Sequence, residues 1–213
     1  MANRHDSEYC GGMLILAFDT TAAACSLVLW RDGDVLHSAR VVMDYGQAEA
    51  LMPMIEQAMA AAGLSYAELD RIAVTIGPGS FTGVRVGLAA ARGIAMAADK
   101  PVVGVTTMDV LAHAVPESEL RNSAGVIVAI DTKRGDFFAQ KFTVGRAAIG
   151  EIVTLTPDEL RTWSGSDSWI VVGTEADALP DAVVLARLAA ERAPQAGGPM
   201  PLYVHAPSVT MPV

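Results

Sequence analysis

Gly77-Pro78-Gly79-Ser80-Phe81-Thr82-Gly83-Val84-Arg85 is the stretch on which the reading of the fold turns. It follows an apolar run, Ile72-Ala73-Val74-Thr75-Ile76, which reads as a buried strand, and it precedes a helical run over 84–98. Gly77, Gly79 and Gly83 let the backbone turn with positive φ or come close to another group. A glycine-rich strand-to-helix turn suits an anion, because free N–H groups at a helix start attract one. The spacing matches neither the Lys-bearing P-loop nor the GxGxxG dinucleotide fingerprint, and no lysine follows closely. Two readings stand side by side: a phosphate cradle, and a tight turn that seats a packed helix.

The turn lies inside a β-α-β unit that closes with a strand over 101–105. Thr106 then starts another helix, with Asp109 three residues on in a capping-box-like arrangement. Upstream, 14–19 reads as a buried strand, 24–31 and 34–43 as a hairpin about Asp32-Gly33, and 48–62 as a helix. Downstream, strands are expected over 126–131, 137–144 and 169–172. Thr156-Pro157-Asp158-Glu159 opens a helix with Thr as N-cap, Pro at the first position and Glu closing the box. A short helix over 181–193 and a break at Gly197-Gly198-Pro199 precede a tail over 201–213, whose prolines forbid a long helix.

Ile15-Leu16-Ala17-Phe18-Asp19-Thr20 is echoed by Ile127-Val128-Ala129-Ile130-Asp131-Thr132. The repeat suggests two related α/β lobes facing one another. The expected division is an extension over 1–12, a lobe over 13–115 carrying the glycine motif, and a second lobe with the tail over 116–213. In that arrangement Asp19 and Asp131 can hold Mg²⁺ beside a cleft and, with Thr20, Thr132, Gly77, Gly79 and Ser80, form a vestigial phosphate site. The alternative is that Asp and Thr simply end strands.

The chain has 213 residues, 52% of them hydrophobic, enough for a sizeable core. Its net charge of −9 and the lack of a dense Lys/Arg cluster argue against unassisted nucleic-acid binding, so any RNA role needs a partner to supply the grip. Arg71, Arg85, Arg92 and Asp99 interrupt the longest apolar runs before they reach membrane-spanning length. The first 12 residues lack the apolar core of a signal peptide. Cys10 and Cys25 have no metal-ligand spacing and fit free thiols in a reducing compartment.

Over 50–62 only Glu56 and Gln57 are strongly polar, whereas a surface helix needs just one apolar stripe. The helix after the glycine turn behaves similarly: Arg85 and Arg92 share one side, and Gly87, Ala89, Ala90, Ala91 and Ala95 permit close approach. Such helices are either interior to the lobe or part of a subunit interface, and their methionines favour the interface. The expected interface set is Leu51, Met52, Ile55, Met59, Val84, Leu88, Ala91 and Ala95, with Tyr203 from the tail.

Asp19-Thr20-Thr21, the run 77–85, Pro101-Val102-Val103-Gly104-Val105 and Pro201-Leu202-Tyr203 together resemble the TsaB (YeaZ) family. The resemblance implies an actin-like/Hsp70-like ATPase (ASKHA) fold and a cytoplasmic role in making threonylcarbamoyladenosine beside the anticodon of ANN-decoding tRNAs. It also implies a non-catalytic partner of the paralogue TsaD, which transfers the threonylcarbamoyl group, acting with the ATPase TsaE. The tRNA is then met only through the complex, ATP or ADP belongs to the assembled complex, and a homodimer is the expected alternative when the paralogue is absent. The catalytic paralogue carries a His-x-x-x-His metal pair just after the strand matching 101–105, where this chain has Thr107 and Leu111. Leucine cannot ligate a metal, and His113 lacks a companion one helical turn away. The family commonly has a His near Gln47, which is missing here. The competing hypotheses are an ATPase or small-molecule kinase built on Asp19 and Asp131, for which Val172-Gly173-Thr174 is a weak adenosine-binding candidate, and a glycoprotease-like peptidase.

Overall fold

The computed structural model describes residues 12–165, 168–174 and 179–204. The sequence expectations for 1–11, including Cys10, and for the tail beyond Val204 lie outside the described residues.

The first sheet holds β1 (Leu14–Asp19), β2 (Ala24–Arg31), β3 (Asp34–Val42), β4 (Arg71–Thr75) and β5 (Val102–Val105). Their order is β3-β2-β1-β4-β5, with β1 antiparallel to β2 and parallel to β4. Successive side chains of a strand point to opposite faces. Leu14, Leu16 and Phe18 therefore join a core beneath α1 (Gln47–Ala62) and α2 (Phe81–Ala98), while Ile15 and Ala17 face α6 (Ala182–Glu191). Burial on both faces explains why β1 reads as an unbroken apolar run rather than an alternating one.

The second sheet holds β6 (Gly125–Asp131), β7 (Phe137–Phe142), β8 (Ala148–Leu155) and β9 (Trp169–Val172) in the order β8-β7-β6-β9. Strand β6 runs antiparallel to β7 and parallel to β9, so this sheet repeats the β3-β2-β1-β4 pattern of the first, with no counterpart of β5 among the described residues. The duplicated order is that of the actin-like fold. Between the lobes lies α3 (Thr107–Ala114): Val110 faces the first sheet, whereas Met108, Leu111 and Ala112 pack on Val126, Val128 and Phe142 of the second. The short α4 (Glu117–Leu120) adds Leu120 to that core. Helix α5 (Pro157–Trp163) opens with the expected capping box, in which Thr156 Oγ1 accepts from Glu159 N–H and Glu159 reaches back to Thr156 N–H.

Several boundaries differ from the sequence reading. Helix α2 starts three residues before the expected Val84, because Ser80 acts as N-cap, its Oγ accepting from Gly83 N–H. Strand β8 and helix α4 are additional elements; β8 is an edge strand, half-buried at best, so its apolar alternation is weak. A boundary at 115/116 places α6 with the second lobe by chain order, yet in space α6 is a layer of the first, packed across β1 and β2.

Arg71, at the start of β4, anchors that returning helix. Its Nη1 donates to the carbonyls of Ala189 (2.8 Å) and Arg192 (2.8 Å), groups that a helix C-terminus leaves without intrahelical partners. Arg192 Nη1 in turn meets Asp109 Oδ2 at 2.9 Å. Replacing Arg71 by Ala is expected to lower folding stability by about 2 kcal/mol, the worth of hydrogen bonds from a charged donor. A urea melt tests this, and an unchanged midpoint would mean that water satisfies those carbonyls equally well.

Candidate functional site

The glycine turn meets the end of β1 at the floor of the cleft between the lobes. Asp19 is wholly buried, and its Oδ1 accepts from Thr21 N–H (3.1 Å), Thr21 Oγ1 (2.6 Å) and Thr75 Oγ1. Thr21 Oγ1 also lies 3.2 Å from Thr107 Oγ1. Asp19 Oδ2 is buried without a partner. Burial pushes the Asp19 carboxyl above its ordinary range, against the lowering effect of the bonds from Thr21 and Thr75. Oδ1 thus carries three donors and Oδ2 none.

The glycines are spent on packing. A Cβ at Gly79 would lie 2.5 Å from Thr21 O, one at Gly83 1.9 Å from Thr20 O, and one at Gly87 2.8 Å from Thr20 Oγ1. Thr20 Oγ1 donates to Gly83 O at 2.7 Å, and Ser80 N–H donates to Thr21 O at 2.8 Å. Of the two readings of this turn, the geometry matches the tight seat for a packed helix, with the Ser80 amide turned onto the protein's own carbonyl. Gly77 has φ +100°, and its carbonyl accepts from Thr107 N–H at 2.8 Å.

The cleft above this floor has a volume of about 720 Å³. Of the residues expected around a phosphate, Gly79, Ser80, Asp131 and Thr132 line it, while Asp19, Thr20 and Gly77 do not. Asp131 is already engaged: it accepts from Lys133 N–H at 2.7 Å and from Lys133 Nζ at 3.1 Å, and the backbone bond leads the effects that hold its carboxyl below the ordinary range. Thr132 Oγ1 donates to Asp136. Thr107 and Leu111, one helical turn apart on α3, both border the cleft, a hydroxyl and a hydrocarbon.

The expected interface set needs correction. Leu51, Ile55, Met59, Val84, Leu88, Ala91 and Ala95 are all buried in the core between α1, α2 and the first sheet, so their side chains face this chain's own interior. Met52 and Tyr203 are exposed. The outward apolar surface belongs to a neighbouring stripe: a groove of about 530 Å³ runs between α1 and α2, lined by Met52, Tyr66, Ala90, Gly93 and Ala97. Met96 is 85% exposed on the same helix α2. The run of small residues in α2 was the available signal, but periodicity alone does not say which of two apolar stripes meets the sheet. Tyr203 lies against the first lobe, its ring centroid 5.1 Å from that of Phe81 and its hydroxyl accepting from Arg85 Nε at 3.1 Å.

The family model for TsaD, tRNA N6-adenosine threonylcarbamoyltransferase, matches residues 46–190. The tRNA threonylcarbamoyladenosine biosynthesis protein TsaB of Escherichia coli is 34% identical over 79% of this chain and 74% of its own length. The chain belongs to the TsaB family. A tRNA N6-adenosine threonylcarbamoyltransferase of Erythrobacter litoralis is 49% identical over a shorter stretch, 34% of this chain and 22% of that one. The solved structure of YeaZ from Pseudomonas aeruginosa, 25% identical, superposes with a TM-score of 0.69 over 84% of this chain and 91% of that one.

Two substitutions test the floor of the cleft. Gly83→Ala drives a methyl into Thr20 O and is expected to cost more than about 3 kcal/mol, the range reserved for severe steric or packing faults. For Asp19, the folded carboxyl keeps a proton that the unfolded one sheds above pH 3.8. Its contribution to stability therefore falls as pH rises from 3.8 through the raised folded value. Asp19→Asn should flatten that slope and leave neutral-pH stability equal to or above wild type; a marked loss at neutral pH would show that the folded protein needs the charge.

Proposed function

We propose that this chain is the non-catalytic subunit of the machinery that makes tRNA N6-threonylcarbamoyladenosine, pairing with the TsaD transferase and working with the TsaE ATPase in the cytoplasm. Family membership supports the pathway. The observation that carries the accessory role is the α1–α2 groove, apolar surface that the chain's own core does not use. Among the described residues no helix is long and apolar enough to cross a membrane, so a membrane span does not account for this surface.

In the cleft, Thr21 and Thr75 engage Asp19 Oδ1 and Lys133 pairs with Asp131, while Asp19 Oδ2 stays buried without a partner. With a net charge of −9, the chain meets tRNA through its partners, and the isolated protein should give no salt-sensitive shift in a tRNA titration.

The pairing surface is tested by two charges placed one stripe apart. Gly93 has open space where a Cβ would stand, so Gly93→Glu should fold as wild type yet weaken association with the paralogue at least about tenfold, since the new charge must be desolvated. Met59→Asp puts a charge into the core and should unfold the protein. Complex mass measured beside thermal unfolding separates the two; wild-type assembly by a folded Gly93→Glu variant would sink the groove as the interface.

A further inference from the structure

After α6 the chain runs back over the open edge of the first sheet, held there by the Gln195 amide and by Pro199. The backbone reverses at Gly197 and Gly198, with φ of +76° and +80°. Just before them, the Gln195 side chain bonds Gly104 in both directions: Gly104 N–H donates to Oε1 at 3.0 Å, and Nε2 donates to Gly104 O at 3.0 Å. Because β5 is the outermost strand, this amide stands in for a neighbouring strand and closes the edge. Pro199 then lies over Gly104, where an added Cβ would come within 2.4 Å of Pro199 Cβ.

The following residues tie this segment to α2 and to the glycine turn. Arg92 Nη2 donates to Pro199 O at 2.7 Å, and Leu202 N–H donates to Ile76 O at 2.8 Å. Leu202 O sits 2.8 Å from the place a Cβ of Gly77 would take. The Arg85 guanidinium lies 3.7 Å from the Phe81 ring centre while Nε donates to Tyr203 Oη. Leu202, Tyr203 and Val204 also line the cleft between the lobes. Among residues 195–203 only Pro199 is buried. A segment held by a few part-buried or exposed hydrogen bonds with little apolar burial opens locally at low cost.

We infer that residues 195–204 form a latch that couples the outer face of α2 to the cleft. Arg85 and Arg92 stand exposed on α2, the helix that also supplies Ala90, Gly93 and Ala97 to the groove, and each holds the latch by one hydrogen bond. A protein that engages these arginines draws them off Tyr203 and Pro199, frees the segment and opens that wall of the cleft. The coupling to a partner rests on the reading in which α2 faces the paralogue; the latch itself does not.

Hydrogen exchange read by mass spectrometry on the full chain tests it. The double variant Arg85→Ala/Arg92→Ala imitates capture of both arginines, and exchange over 199–204 should rise about tenfold or more, the factor that a lost hydrogen bond from a charged donor is worth. Exchange in β1 and β6 should stay at the wild-type rate. Unchanged exchange over 199–204, or an equal rise in β1 and β6, overturns the latch. In a second arm the wild-type chain is mixed with the paralogue: protection of α1 together with faster exchange over 199–204 supports the coupling, and protection of α1 with unchanged or slower exchange there overturns it. Failure to protect α1 at all counts against the functional reading, while the variant arm still decides the latch.

Discussion

The close approach of α2 to the end of β1 is the constraint on which the structure depends. At Gly79 and Gly83 the backbone of the turn and helix start lies against the carbonyls of Thr21 and Thr20, at separations that leave no room for a Cβ. That contact sets the angle at which α2 leaves the sheet, and with it the placing of Val84, Leu88 and Ala91 in the core and of Ala90, Gly93 and Ala97 on the outside. It also closes the ring of hydroxyls around Asp19. A glycine-rich turn that elsewhere would present amides to an anion here turns its Ser80 amide onto the Thr21 carbonyl.

The same contact explains what the cleft keeps and what it has given up. The two lobes retain duplicated strand orders and matching Asp-Thr pairs at the ends of β1 and β6. Yet one carboxylate is buried among threonines and the other is bridged to the lysine two residues on. Among the described residues the second lobe has no strand matching β5, and α6 returns to cover the first sheet. The outcome is a first lobe that is sandwiched on both faces and still carries an unused apolar groove.

Much of this was legible in the residues. The run 14–19 announced a buried strand, Asp32-Gly33 a hairpin, and the echo of Asp19-Thr20 in Asp131-Thr132 a second lobe. The capping box at Thr156 was read correctly because its bonds are local. What failed depended on non-local partners. Leu51, Ile55 and Met59 look the same in sequence whether they face a sheet or another protein, and only the position of β1 and β2 beneath α1 decides. The glycine turn stayed ambiguous because Thr20 O, the atom that Gly83 must clear, is more than sixty residues away. Nothing local to Gln195 foretold that its amide would close the edge at Gly104, ninety-one residues upstream.

Under the proposed function, this chain is an activator that works through its surface rather than through its own chemistry. The most direct measurement is tRNA threonylcarbamoylation by the purified paralogue and ATPase, supplied with an activated threonylcarbamoyl donor and ATP, with and without this chain, alongside ATP hydrolysis by this chain alone. The account predicts that modified tRNA accumulates only when the chain is present and that the isolated chain hydrolyses no ATP above a protein-free control. Equal modification without it, or ATP turnover by the isolated chain that Asp19→Asn abolishes, would contradict it.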